Sequence, residues 1–64
     1  MIIKKYIVKE ITPSGDFRTV VTGSNRYNKE LDNVVEAEKY VETIFNNTDW
    51  PLTLVILTIF KEQY

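Results

Sequence analysis

The hydrophobic pattern divides the chain into three strand-like segments and one helical segment. Residues 2–11 are rich in β-branched side chains and contain no Gly or Pro, which is typical of a strand. Pro13 and Gly15 then supply turn chemistry, and residues 17–22 predict a second strand that returns as a hairpin. Residues 52–61 are almost continuously apolar, and we predict the third strand there.

Between the second and third predicted strands, apolar residues recur with the 3.6-residue period of an α-helix. We predict a helix at residues 33–46, with Asn33 as its N-cap and Glu36 completing a capping box. Pro51 restricts the residue before it to extended backbone, so the helix has to end earlier. We expect residues 26–32 to form a loop that leads into the helix.

The order strand, strand, helix, strand predicts an α+β fold of ββαβ type, and 64 residues allow one domain, residues 1–64. A right-handed crossover brings the third strand beside the first. The predicted sheet therefore has the order 2-1-3, with the third strand antiparallel to the first and the helix covering one face.

The third predicted strand is apolar on both faces, although the topology leaves it at the edge of the sheet. A long apolar edge invites pairing with another chain. We therefore predict a homodimer in which two copies of this strand pair across a twofold axis into a six-stranded sheet. The alternative is a monomer in which the loop around Trp50 and the Tyr64 tail cover the surplus face. The predicted dimer interface comprises Leu54, Ile56, Leu57, Ile59 and Phe60.

Histidine and cysteine are both absent from the chain, which excludes many kinds of site. No disulfide, thiol nucleophile, zinc finger or Ser-His-Asp triad can be built without them. No side chain has an unperturbed pKa near neutrality, and the two glycines are too isolated for a phosphate-binding loop. We expect a binding protein and not an enzyme, with no metal ion and no other cofactor.

Two features of the sequence indicate where in the cell the protein is located. The first three residues are followed at once by Lys4 and Lys5, without the apolar core of a secretory signal. The apolar run at residues 52–60 is too short for a transmembrane helix. We expect a cytoplasmic protein that does not bind a membrane.

Charge is distributed unevenly along the chain. Residues 1–27 carry five basic and two acidic side chains, whereas residues 28–49 carry two basic and six acidic ones. Carboxylates spaced along a rigid helix can imitate the phosphates of DNA and attract a basic partner. The alternative is an ordinary solvated helix face. We expect Tyr40 to be exposed, because it falls off the apolar face of the helix. The predicted partner-binding residues are Glu36, Glu38, Tyr40, Val41, Glu42 and Phe45.

The basic first part of the chain offers a different function, the binding of single-stranded nucleic acid, in which bases stack on nearby aromatic rings. The net charge of −1 disfavours this function, since proteins that bind phosphates are usually basic. The residues of this alternative are Lys4, Lys5, Lys9 and Arg18.

The end of the predicted helix carries a further pattern, at Val41–Thr48. An apolar residue precedes Glu42, Phe45 follows three residues later, and Asn47-Thr48 leads into the last strand. Together with the chain length, the ββαβ order, the acidic helix and the expected dimer, this pattern resembles a known family. It is the family of small uracil-DNA glycosylase inhibitors made by some tailed phages of Bacillus.

The resemblance implies a dimeric DNA mimic that blocks the DNA-binding surface of a host repair enzyme. Helix carboxylates would stand where phosphates lie, and a pocket between the protomers would hold the leucine that the enzyme inserts into DNA. Val41 stands where the family has an aromatic residue of that pocket, and residues 17–22 lack the acidic, aromatic-rich character of the family's second strand. An inhibitor of another host enzyme or defence system, using the same surfaces, is the remaining alternative.

Overall fold

The computed structural model describes residues 1–64. A three-stranded antiparallel sheet has the order β2-β1-β5, and β3 and β4 form a second, two-stranded sheet. The predicted α+β class, the sheet order 2-1-3 and the antiparallel last strand are confirmed. In chain order the elements are β1 (Ile2–Ile11), β2 (Phe17–Arg18), β3 (Val20–Thr22), β4 (Asn25–Tyr27), α1 (Val34–Asn46) and β5 (Leu54–Glu62).

The β1–β5 ladder is the framework of the fold. The two strands pair at nine positions, from Ile2 opposite Glu62 to Glu10 opposite Leu54. Residues that stand opposite each other project from the same face of a sheet, and successive residues alternate between faces. Even-numbered residues of both strands therefore lie on the face that carries α1, and odd-numbered residues lie on the opposite face.

The second predicted strand, residues 17–22, is interrupted at Thr19. β2 pairs with the end of β1, whereas β3 leaves that sheet and pairs with β4. The expectation of a loop throughout residues 26–32 is wrong at its start, because β4 ends at Tyr27. Gly23 has φ +63° and opens the two-residue turn between β3 and β4, where a type II′ turn requires a positive φ.

Local capping sets the bounds of α1. The Asn33 side-chain oxygen accepts a hydrogen bond from the backbone N–H of Glu36 at 2.9 Å. The Glu36 carboxylate accepts a hydrogen bond from the backbone N–H of Asp32 at 3.4 Å. The second hydrogen bond of the predicted capping box therefore comes from the residue before the N-cap and not from Asn33 itself. At the other end, the Thr48 hydroxyl donates to the carbonyl of Ile44 at 2.6 Å. No helix here has the length and apolar character that crossing a membrane requires.

The hydrophobic core is small and lies between α1, the β3–β4 hairpin and one face of the main sheet. Leu31 joins it from the segment before the helix and forms an isolated antiparallel bridge to Tyr6. Tyr6, Leu54 and Ile56 pack against the core from the sheet. The buried hydrophobic residues are Val8, Val20, Tyr27, Leu31, Ala37 and Ile44.

Candidate protein-binding surfaces

The solvent side of α1 presents carboxylates and apolar side chains together. Ala37 and Ile44 are fully buried, which fixes the inner side of the helix. At about 100° per residue, positions 34, 38, 42 and 45 fall on one stripe away from these two residues, and position 35 borders it. Phe45 is 47% exposed and Val35 is 56% exposed. We call this surface the helix stripe. It comprises Val34, Val35, Glu38, Glu42 and Phe45.

The two carboxylates of the helix stripe have no partner within the chain. The three salt bridges join Lys5 to Asp32, Arg18 to Glu10 and Lys61 to Glu30. Neither Glu38 nor Glu42 takes part in these pairs or in any side-chain hydrogen bond. Their Cβ atoms stand about 5–6 Å apart, as in any i,i+4 helix pair. The stripe therefore presents two adjacent uncompensated negative charges beside exposed apolar surface.

The other three predicted partner-binding residues lie elsewhere on the helix. Glu36 is engaged at the N-terminus of α1, and Val41 packs partly buried against the core. Tyr40 is also partly buried, because its ring meets the edge of Tyr27 at a centroid distance of 5.7 Å and an interplanar angle of 75°. The expectation that Tyr40 is exposed is therefore wrong, and the helix stripe keeps only Glu38, Glu42 and Phe45 of the predicted set.

The five residues of the predicted dimer interface divide between the two faces of β5. Leu54 and Ile56 pack against the core. Leu57 and Ile59 project from the opposite face, and Phe60 is 68% exposed on the helix-bearing face. These residues share a strand edge and not a face. That edge is free, because β5 pairs only with β1.

The hydrogen-bonding groups at this free edge can be identified from the bridge at Tyr6. Tyr6 exchanges backbone hydrogen bonds with Leu31, so its N–H and C=O point away from β5. Its opposite residue, Thr58, therefore belongs to a non-hydrogen-bonded pair and points its own N–H and C=O away from β1. By the same alternation, the free edge carries the N–H and C=O groups of Leu54, Ile56, Thr58, Phe60 and Glu62.

The face of the main sheet opposite α1 carries mainly aliphatic side chains, which are partly buried and lie outside the core cluster. We call it the open face. Lys5, Lys9 and Lys61 also project from it, and Lys9 donates a hydrogen bond to the Thr19 hydroxyl at 3.2 Å. Phe17 of β2 borders it and is 56% exposed. Its aliphatic residues are Ile3, Ile7 and Ile11 of β1 and Val55, Leu57 and Ile59 of β5.

The basic residues of the nucleic-acid alternative are not gathered into one patch. Lys4 and Arg18 belong to the helix-bearing face, whereas Lys5 and Lys9 belong to the open face. The Lys4 amine lies 5.5 Å from the centre of the Tyr6 ring. Arg18 donates to the Glu10 carboxylate at 2.9 Å, and this hydrogen bond and charge raise the pKa of Arg18.

The charge of Lys5 is also balanced by a carboxylate of the same chain. It donates a hydrogen bond to Asp32, and this contact with its Coulomb attraction raises the pKa of Lys5 and lowers the pKa of Asp32. Two of the four basic side chains are thus held by carboxylates of the same chain. A contiguous cationic track for a phosphate backbone is not formed by these four residues.

A cavity of about 420 Å³ lies where the end of β1 meets the loop after α1. Trp50 lines it and is 51% exposed, and the paired Glu10 and Arg18 side chains form part of its wall. The two charged groups already satisfy each other, so the cavity presents no free acid or base. No group of three or more acidic side chains lies close enough together to hold a metal ion.

Comparison with protein-family models, with curated proteins and with solved structures finds no match for this chain. The candidate functional surfaces of the chain are the helix stripe, the free edge of β5 and the open face.

Proposed function

We propose that this chain is a non-enzymatic inhibitor that binds the basic, DNA-contacting surface of a DNA-processing enzyme through the helix stripe. The observation that carries the proposal is the pair of uncompensated carboxylates of Glu38 and Glu42 beside the exposed ring of Phe45. In such a complex the carboxylates occupy positions of DNA phosphates, and Phe45 supplies the apolar anchor that binding interfaces require.

The composition of the helix stripe supports a binding role over a solvated face. A solvated helix face is polar, but Val34, Val35 and Phe45 are each at least 44% exposed here. Protein interfaces combine aromatic and apolar anchors with charges that steer the encounter. Surfaces that hold DNA are rich in Lys and Arg. An acidic stripe with an aromatic anchor complements a surface of this kind.

Uracil-DNA glycosylase is the proposed target. The support is the similarity of Glu42, Phe45 and the Asn47-Thr48 turn to the helix end of the phage inhibitor family. In this proposal the protein acts in the cytoplasm of a bacterial host and protects uracil-containing phage DNA from host repair. Two of the matching residues, Glu42 and Phe45, belong to the helix stripe.

The proposed inhibitor is a homodimer joined along the free edge of β5. Antiparallel pairing about a twofold axis at Thr58 overlaps all nine residues of each strand. In this register Leu54 stands opposite Glu62, Ile56 opposite Phe60, and Thr58 opposite its own copy. These are the residues whose N–H and C=O groups point to the free edge, so the groups hydrogen-bond across the twofold axis. Glu62 stands opposite Leu54 and Lys61 opposite Val55, so no like charges meet. Both helices lie on one face of the resulting six-stranded sheet.

Inhibition of uracil excision tests the proposal. We expect the wild-type protein to inhibit a bacterial uracil-DNA glycosylase on a uracil-containing oligonucleotide, in competition with the DNA and less strongly at high salt. The charge reversal Glu38→Lys with Glu42→Lys should abolish inhibition. The control is Asp16→Lys with Asp49→Lys, which makes the same charge change at two exposed aspartates outside the helix stripe.

Capture from bacterial lysate, with mass spectrometry of the retained proteins, extends the test to other targets. Wild-type protein and the Asp16→Lys, Asp49→Lys control should retain the same DNA-processing enzyme, and the Glu38→Lys, Glu42→Lys variant should lose it. Equal retention of the enzyme by both double variants would show that the helix stripe does not bind it. Retention of an enzyme other than uracil-DNA glycosylase, with the same dependence on Glu38 and Glu42, would support DNA mimicry by the helix stripe but with that enzyme as the target.

A further inference from the structure

The six aliphatic side chains of the open face are only partly buried by their own chain. Three come from β1 and three from β5, and all six lie outside the hydrophobic core cluster. The alternative cover for a surplus face is the loop around Trp50 and the Tyr64 tail. Tyr64 is fully exposed, and Trp50 lines the cavity at the end of β1. A contiguous apolar face of this kind on a small protein marks an interaction surface.

The area of the open face indicates how many chains are needed to bury it. With a rise of about 3.3 Å per residue and strands about 4.8 Å apart, β1 and β5 present roughly 300 Å² per chain. A stable interface buries about 800 Å² on each partner. One open face is therefore too small to hold two single chains together. Edge pairing of β5 doubles the continuous face and brings it close to the required size.

We propose that two edge-paired dimers pack their open faces against each other to form a tetramer. This inference rests on the dimer of the proposed function and goes beyond it. The tetramer is a sandwich of two six-stranded sheets about 10 Å apart, with the aliphatic residues interdigitating between them. The four α1 helices remain on its two outer surfaces, so the helix stripes stay accessible.

The distribution of polarity on the doubled face matches an interface. Its two central strands are copies of β5, which contribute Val55, Leu57 and Ile59 and no charge to this face between residues 55 and 59. Lys5 and Lys9 belong to β1 and stand on either flank. Their aliphatic stems can lie along the apolar surface with the ammonium groups in water. An apolar centre with a polar rim is the usual anatomy of a protein–protein interface.

The charges at the rim favour a second copy over a phosphate-bearing surface. Asp32 compensates Lys5, and Glu30 compensates Lys61 with a nearest N–O distance of 2.6 Å. Of the lysines on this face, Lys9 alone has no carboxylate partner. A lipid or nucleic-acid site would present several uncompensated cations. A rim whose carboxylates are already paired with lysines of the same chain adds little charge repulsion when two copies meet.

Sedimentation analysis over a wide protein concentration range tests the tetramer. We expect the wild-type protein to sediment as four chains of 7.5 kDa and to dissociate into dimers on dilution. Ile3→Thr with Ile7→Thr keeps strand propensity but removes apolar surface from the open face on β1, away from the proposed dimer seam, so this variant should remain a dimer at every concentration. The matched control, Val34→Thr with Val35→Thr, alters two exposed aliphatic residues on the opposite side of the molecule and should form the tetramer.

The outcomes separate this inference from the dimer and from the inhibitor. Wild-type protein that stays dimeric at high concentration would overturn the tetramer alone, and monomeric wild-type protein would overturn the dimer as well. A tetramer that survives Ile3→Thr with Ile7→Thr would also overturn it. Binding of wild-type dimers to phosphatidylserine vesicles, lost in this variant, would assign the open face to lipid instead. Circular dichroism should show the same secondary structure in all variants, and the dimeric variant should still inhibit uracil excision.

Discussion

Tyr6 and Leu31 exchange two backbone hydrogen bonds, each 2.8 Å from nitrogen to oxygen. This bridge occupies the edge of β1 that faces away from β5, beyond the short β2 strand. Because Tyr6 turns its N–H and C=O toward Leu31, Tyr6 and Thr58 form a non-hydrogen-bonded pair, and Thr58 directs its own N–H and C=O outward. β5 is therefore the long strand of the sheet whose outer edge stays free.

Two neighbouring residues of α1 should separate binding from stability. Ile44 is fully buried and Phe45 is 47% exposed. We expect Ile44→Ala to lower the free energy of unfolding by about 2–5 kcal/mol through lost burial and a cavity. Phe45→Ala should change stability by less than about 1 kcal/mol and weaken target binding at least tenfold. Urea unfolding and inhibition of uracil excision measure the two effects. Equal inhibition by wild type and Phe45→Ala would contradict the role of the helix stripe.

The free edge of β5 can be blocked without altering its ladder to β1. Thr58→Pro removes an N–H that points away from β1, so we expect a folded monomer with Tm near that of the wild type at low concentration. Leu57→Pro removes a neighbouring N–H that bonds to β1, and it should unfold the protein. Light scattering gives the oligomeric state, and circular dichroism gives the fold.

A second substitution at Thr58 tests dimerisation along the β5 edge without the effect of proline on strand geometry. Thr58→Lys places two ammonium groups beside the proposed twofold axis and should also give a monomer, because like charges directly opposite each other destabilise paired strands. Dimers of unchanged affinity in both Thr58 variants would exclude pairing along this edge.

The Lys5–Asp32 pair predicts a dependence of stability on acid pH. The contact with Lys5 lowers the pKa of Asp32 below its ordinary value of 3.8 in the folded chain. A lowered pKa contributes stability above the unfolded value, and this contribution is lost as pH falls through the folded value. We expect wild type to be more stable than Asp32→Asn near neutral pH and the difference to disappear below the folded pKa.

Urea unfolding from neutral pH down to about pH 2 checks this prediction. The control is Asp49→Asn, because Asp49 is exposed and forms no salt bridge. A stability difference between wild type and Asp32→Asn that stays constant over the whole range would show that the ion pair is not its cause.

Single-stranded DNA should bind weakly or not at all. Lys5 and Arg18 are paired with carboxylates, and the four basic residues of the nucleic-acid alternative divide between two faces. We expect no saturable change in the fluorescence anisotropy of a labelled single-stranded oligonucleotide at low salt. Tight binding that weakens steeply with added salt, and is lost in Lys4→Glu with Lys9→Glu, would revive that function.

The parts of the fold that depend on local physics were predictable from the sequence. Residues 2–11 form β1 with the predicted bounds, and Asn33 caps α1. These features depend on side-chain branching and on hydrogen bonds within one turn. The turn at Gly23-Ser24 also has a local signal, a two-residue loop with glycine first, and the prediction of a continuous loop after it missed this signal.

The interruption at Thr19 depends on distant contacts and has no local signal. If β2 continued along β1 in the same register, Thr22 would stand opposite Tyr6, which is the position that Leu31 takes. Leu31 occupies the edge at Tyr6, and the chain after Thr19 turns away so that Val20 enters the core and β3 pairs with β4. Which of two apolar segments takes one strand edge depends on how both pack, and periodicity along the chain does not contain that information.

The same distinction holds for the candidate surfaces. By itself the sequence determined the strands and helix, the excess of carboxylates in the helical region and the apolar character of both faces of β5, because these follow from residue type and spacing. Only the tertiary structure decided that Tyr40 packs on Tyr27 and that carboxylates hold Lys5 and Arg18, while Glu38 and Glu42 stay unpaired. Burial and ion pairing join residues far apart in the chain, so they become defined only when the packed elements bring those residues together.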